Sequence, residues 1–392
     1  MSEVIPVGPY HPLQEEPEFF RLHVEGEVVT KLEIELGYNH RGIEKLAESQ
    51  TWDQVVFLVE RICGICSTSH PSASVRAMED LGHISPPERA QYIRTIICEL
   101  ERIHSHLLWL GLAGHFLGYN TLWMWTWKTR EWVCDILEKI SGNRQSYAMF
   151  KVGGVRRDIA EEDIPWIFST LDKLKPYLDL FYGAVMDDPV LHARTKGIGV
   201  LTLEQAKAYC VVGPTARASG LEVDIRKEDP YFAYPWVKWN VCVEKEGDVF
   251  AKVMVRIREL YESVHIIEQC LREMKPGPID AQVKELPPGE GIGRAEAPRG
   301  EVYHYIVSDG SNRPVRYKVR APSYVNVFSN EVACVGYSLA DAVLILAAVD
   351  PCYCCTERMT VIQKGVASSI QWKDLIRLSH EKTRRVQKRI GK

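Results

Sequence analysis

Two C-x-x-C pairs stand almost a whole chain apart, Cys63-Gly64-Ile65-Cys66 near the start and Cys352-Tyr353-Cys354-Cys355 near the end of 392 residues. Two residues between cysteines let a tight turn aim both sulfurs at one ion, and two such pairs supply four soft thiolates suited to zinc, nickel or iron. A site built from both pairs forms only when the two ends of the chain meet, so metal binding and folding of everything between them are coupled. The N-terminal stretch MSEVIPVGPYHP has no basic segment followed by an apolar core. A reducing compartment on the cytoplasmic side is therefore expected, where grouped cysteines are metal or redox ligands more often than disulfides.

Between the pairs the hydrophobic periodicity predicts an α+β fold, with a mainly helical core and smaller β elements near the N- and C-terminal parts. Phe20, Leu22 and Val24, then Leu32, Ile34 and Leu36, alternate about the Glu25-Gly26 turn and predict a β-hairpin over about 18–37. Ile93, Ile96, Ile97, Leu100, Ile103 and Leu107 follow helical spacing, as do Ile164 to Leu174 and Val253 to Leu271, which sets a helical core over about 86–275. A second β region is expected over about 290–325, turning at Asp309-Gly310. Leu107 to Trp127 is long enough to span a bilayer, but His115, Asn120 and three glycines interrupt it, so two buried helices meeting at a turn are expected instead. With 48 basic against 52 acidic residues there is no overall basic field, which excludes nucleic acid as a partner. Gly289-Glu290-Gly291-Ile292-Gly293 lacks the third glycine of a dinucleotide fingerprint and precedes a strand-like segment, so it is no nucleotide site.

Spacing alone also fits a closed structural zinc site. Its context, Arg61-Ile62-Cys63-Gly64-Ile65-Cys66 followed by His70, together with Asp350-Pro351-Cys352 to Cys355, resembles the paired signatures of nickel–iron hydrogenase large subunits. The likeness runs from about Val7 onward through Gly8-Pro9-Tyr10-His11-Pro12, Arg41-Gly42-Ile43-Glu44, Gly153 to Asp158 and Glu296-Ala297-Pro298-Arg299-Gly300. Several of these segments also resemble the related complex I subunit, which points to the membrane-linked, energy-converting hydrogenases. Complex I subunits of this kind lack the cysteine quartet.

The resemblance implies Cys63 and Cys352 as terminal thiolates on nickel, and Cys66 and Cys355 as thiolates bridging nickel and iron. The iron is expected to carry carbon monoxide and cyanide. Glu16 matches a carboxylate that exchanges the proton with Cys352, although a glutamate beside another near a chain start is ordinarily a solvated charge. Arg299 matches an arginine over the metals, and Pro298 a lining residue of the diatomic pocket. His70 and His11 are expected to hydrogen-bond sulfur ligands. Glu44 matches a carboxylate near a second metal, magnesium or iron, although the family's usual terminal histidine is Arg358 here. Cys98, Cys134, Cys210, Cys242, Cys270 and Cys334 have no cysteine nearby and are expected as buried free thiols. Cys354 is expected to point away from the metals.

With no further grouped cysteines, the chain holds no iron–sulfur cluster. The family implies a small subunit carrying the proximal cluster, integral membrane subunits, and a ferredoxin-like, formate dehydrogenase or carbon monoxide dehydrogenase electron partner. The reaction implied is reversible H2 to 2 H+ and 2 electrons on the cytoplasmic face of the membrane, coupled to ion translocation. The alternatives are a quinone-reducing complex I-type subunit and a zinc-stapled structural subunit. Residues 1–358 are expected as one domain. The tail from Met359 to Lys392 carries nine Lys or Arg against two Asp or Glu, and the family implies its removal after Arg358 by a maturation endopeptidase.

Overall fold

The computed structural model describes residues 2–12, 14–356, 361–363, 366–368 and 372–391. The Arg358–Met359 bond therefore lies outside the described residues. Strands β1 (Ser2–Val7), β2 (Phe19–Glu25) and β3 (Val28–Glu35) form an antiparallel sheet in that order. Leu22 pairs with Leu32 and Phe20 with Ile34, so the alternation buries Phe20, Leu22, Val24 and Leu32 on one face. Helices α1 (Trp52–Glu60) and α2 (Ser69–Gly82) follow. The first pair of cysteines lies in the bend between them.

The body is built from α3 (Glu88–Phe116), α4 (Asn120–Ser141), α5 (Ile164–Asp187) and α6 (Val249–Glu273). The apolar run Leu107 to Trp127 divides between α3 and α4, and among the described residues no helix is long and apolar enough to cross a membrane. The expectation that both halves are buried needs correcting for α4. Leu122, Thr126 and Thr129 face inward while Met124 and Trp125 are exposed, because the helix is amphipathic and only one face meets the body.

Helix α3 is enclosed on nearly every side, yet it carries Glu99, Glu101, Arg102, His104 and His106 into the interior. Buried charge of this kind survives only if paired and hydrogen-bonded. Glu99 accepts from Arg226 (3.0 Å), Tyr234 (2.6 Å) and Ser263 (2.6 Å). Glu259 of α6 meets Arg217 (2.8 Å) and His106 (2.8 Å), and Arg217 also meets Glu296 at 2.8 Å.

A second antiparallel sheet joins β4 (Pro288–Ala297), β5 (Gly300–Asp309) and β6 (Pro314–Arg320). The glycine run at 289–293 lies within β4. A Cβ on Gly291 would stand 2.1 Å from the Ala77 carbonyl oxygen and one on Gly293 1.9 Å from that of Ala73. These glycines let the strand lie against the backbone of α2. Helix α7 (Leu339–Ala348) then leads into the second cysteine pair, and α8 (Trp372–Arg389) lies in the basic tail.

Candidate metal centre

Both C-x-x-C segments fold as tight turns, with the Cys66 N–H on the Cys63 carbonyl at 3.3 Å and the Cys355 N–H on the Cys352 carbonyl at 3.1 Å. The first turn is pinned to α3, where the buried Glu101 carboxylate accepts from the Thr68 N–H and the Ser69 hydroxyl. The second is pinned by the Ser323 hydroxyl, which accepts from the Cys352 N–H at 2.9 Å. Arg41 joins the two, donating to the Ile62 carbonyl (2.7 Å) and the Cys354 carbonyl (3.0 Å). That clamp was not singled out from the sequence, where Arg41 appears only as part of a motif.

The four sulfurs meet in the interior. Cys352 Sγ lies 2.9 Å from Cys63 Sγ and 3.0 Å from Cys355 Sγ. Cys63, Cys352 and Cys355 form a set able to hold an ion; Cys66, buried beside them, falls outside that set, although its thiol is influenced by all three. Cys63 is held well below the usual thiol range by hydrogen bonds from Cys352, Cys355 and Cys66. Cys352 is pushed well above it by its bonds to Cys355 and Cys63. Hydrogen bonds with Cys352 lower both Cys66 and Cys355, but hydrogen bonds with Cys63, then burial and the charge on Cys63, outweigh them and raise both. Four thiols so close cannot all ionise by themselves, and a soft divalent cation is what would let them.

Arg299 sits in the turn between β4 and β5, buried with a relative exposure of 1%. Its Nη2 pairs with Asp350 at 2.6 Å, its Nε donates to the Asp350 carbonyl at 2.8 Å, and its Nη1 lies 3.0 Å from Ser105 Oγ and 3.6 Å from Cys66 Sγ. Burial opposes its charge, but Asp350 and the sulfurs of Cys66, Cys352 and Cys63 keep it protonated. Pro298, beside it, is buried. His70 places Nε2 3.4 Å from Cys355 Sγ, and burial lowers it to about 4, so the ring is neutral at pH 7.

Glu16 reaches the cluster by a route the sequence did not show. Its carboxylate is held by Cys354, the residue between the ligands, rather than by Cys352. Cys354 thus points to Glu16 and takes no part in the ion-holding set. Burial raises Glu16, with the charge on Cys63 adding to it. Its neighbour Glu15, given no role from sequence, is pushed by burial to about 7 against the pull of Arg299. Both line a cleft of about 450 Å3 with Tyr10 and His11.

Glu44 does not join the cysteines. Its carboxylate takes Lys318 at 3.0 Å and the Val319 N–H at 3.0 Å, so the oxygens expected near a second metal are engaged with β6. Of the six unpaired cysteines, Cys98, Cys134, Cys270 and Cys334 are buried, but Cys210 is exposed and Cys242 half-buried. Cys210 ends a short surface helix in the left-handed region, φ 53°, which carries its side chain outward.

Known proteins resemble the chain over most of its length. Residues 117–286 and 281–358 match the family of the 49 kDa subunit of respiratory-chain NADH dehydrogenase, and residues 41–112 match the nickel-dependent hydrogenases. The chain is 42% identical to the membrane-bound hydrogenase subunit alpha of Pyrococcus furiosus, covering 97% of this chain and 93% of that one. It is 41% identical to one of the subunits of the F420H2 dehydrogenase of Methanosarcina mazei, covering 89% and 96%. Among solved structures it resembles a chain of the membrane-bound sulfane sulfur reductase, an archaeal respiratory membrane complex, with a TM-score of 0.87 and 34% identity over 91% of this chain and 98% of that one.

Proposed function

The chain belongs to the family that unites nickel-dependent hydrogenase large subunits with the 49 kDa subunit of respiratory-chain NADH dehydrogenase, and on that premise we propose that it is the catalytic subunit of an energy-converting nickel–iron hydrogenase. Relatives of nearly equal identity carry different chemistries in their names, so similarity alone does not choose between them. The observation that carries the reading is the convergence of four buried thiols, two from each end of the chain, beside a buried charged arginine. A quinone-reducing subunit has no use for such a quartet. A structural zinc site has no use for Arg299, whose charge is costly to bury.

Cys63, Cys66, Cys352 and Cys355 would hold the nickel and iron. When bound, the pair supplies the Lewis acidity that polarises H2 and accepts its two electrons. The chain's own groups supply the rest. Arg299 presents a fixed cation beside Cys66, and can donate to a cyanide on iron without giving up its proton. The Arg299–Asp350 pair fixes that orientation. Glu16, raised by burial, is a carboxylate placed to take up and release a proton at the edge of the cluster. The electrons would leave to an iron–sulfur cluster on a small subunit, and the proton to the cleft beyond Glu16. Membrane subunits coupling this reaction to ion transfer, with a low-potential donor such as ferredoxin, complete the reading.

Metal analysis and infrared spectroscopy of the purified complex test it. Nickel with iron, and bands of iron-bound cyanide and carbon monoxide, are expected. Zinc alone would make the quartet a staple, and no metal in this chain would leave the quinone-type alternative.

A further inference from the structure

A file of hydrogen bonds leaves the cluster at Cys355 and runs through residues that no motif connects. His70 Nε2 lies 3.4 Å from Cys355 Sγ, and His70 Nδ1 lies 3.1 Å from His304 Nε2. His304 Nδ1 lies 2.7 Å from the Tyr317 hydroxyl, which donates to Ser74 Oγ at 2.7 Å. His70 and Ser74 stand one turn apart on α2, His304 is on β5 and Tyr317 on β6. All four are buried, none more than 1% exposed.

Each link joins two groups that can both donate and accept, so the protons along the file must be ordered. Two orders are self-consistent. In one, every hydrogen points toward sulfur: Ser74 donates to Tyr317, Tyr317 to His304 Nδ1, His304 Nε2–H to His70 Nδ1, and His70 Nε2–H to Cys355. In the other every hydrogen is reversed, with Tyr317 donating to Ser74 and Cys355 donating its thiol proton to His70; rotation of the Tyr317 and Ser74 hydroxyls, with the tautomer of both rings, converts one order into the other. A thiolate has no proton to give, so a metal-bound Cys355 is compatible only with the first order. The second would set the lone pair of His70 against an anionic sulfur.

We propose that His304 and Tyr317 are positioning residues that fix the tautomer of His70, so that it donates to the Cys355 thiolate and draws electron density from the metal centre. The chain of donors polarises link by link, which makes the last bond stronger than an isolated imidazole would give. The inference rests on the hydrogenase reading, because it needs a metal thiolate at Cys355. Burial holds His304 well below the ordinary histidine range, so its ring stays neutral with one hydrogen to place.

The test uses the purified complex and its iron-bound carbon monoxide band. Tyr317→Phe keeps the ring and removes the hydroxyl, and His304→Leu removes the relay. Both are expected to keep nickel and iron and to move the band to lower wavenumber, because an unassisted thiolate donates more density to iron. His304→Gln, which restores an N–H toward His70, is expected to move it back toward the parental position. Unmoved bands in fully loaded Tyr317→Phe and His304→Leu would overturn the inference and leave the hydrogenase reading intact. Loss of both metals from both variants would also overturn it, reducing the file to a structural support. A parental complex without such bands would overturn the reading of the site, and this inference with it.

Discussion

The carboxylate of Glu16 is held by the residue that precedes Cys355 in the second cysteine pair: one oxygen accepts the Cys354 N–H and the other lies 2.6 Å from the Cys354 thiol. The turn that would aim Cys352 and Cys355 at a metal therefore also fixes the group proposed to move protons. Glu16→Gln should keep nickel and iron but lower hydrogen turnover and H/D exchange by at least about 100-fold, the lower end of what a positioned acid or base contributes. Cys354→Ala keeps the backbone N–H and should cost much less. Parental exchange rates in Glu16→Gln would place the proton route elsewhere.

Glu44 makes the opposite case. Its partner Lys318 is 41% exposed, and a half-exposed ion pair contributes at most about 1 kcal/mol. Glu44→Gln should leave the metal content of the complex unchanged and lower the melting temperature by no more than a few degrees. Loss of a bound ion in this variant would restore the second metal site that the sequence suggested.

What the sequence disclosed and what it hid follow from the range of the interactions. Helical periodicity and the C-x-x-C spacing are local, so the helical body and the four sulfurs could be read directly. The Glu16–Cys354 contact spans 338 residues and the His70–His304 contact 234. Such partners are set by how strand and helix dock, which no spacing encodes. One signal was available and unread: Glu99, Glu101, Arg102, His104 and His106 crowd a helix whose apolar residues are too evenly spread to leave a solvent face. That pattern demands buried partners, and Glu101 uses its own to hold the first cysteine turn.

The buried ionic network around α3 should be intolerant of single deletions. Arg217 is fully buried between Glu259 and Glu296, with Asp224 at 3.3 Å. Arg217→Leu would leave three carboxylates facing one another with one fewer cation, a loss of roughly 3–5 kcal/mol for breaking a buried pair. The complex should melt at a markedly lower temperature or fail to accumulate. A variant as stable as the parent would show that Arg226 and Arg102 neutralise the cluster unaided.

Glu18 gives the fold a pH dependence whose sign is fixed by burial. Its side chain is enclosed, accepts from the Thr356 hydroxyl at 3.3 Å and leaves one oxygen without a hydrogen-bond partner among the described residues. Burial pushes it to about 8 from an ordinary value of 4.5, against the bonds from Thr356 and the Phe19 N–H, with Glu35 and Glu16 adding to the rise. Between these two values the folded protein keeps a proton that the unfolded chain releases. Stability from this group is therefore complete below about 4.5 and is lost as pH climbs toward about 8. Glu15 and Glu101, each near 7, act with the same sign, so the parent should lose stability over the whole range. Glu18→Gln cannot ionise and removes only its own share. Melting curves of parent and variant should lie close together at pH 5 and separate steadily toward pH 8.5, with the variant the more stable. Curves that stay parallel across that range would show that Glu18 ionises in the folded chain as readily as in the unfolded one.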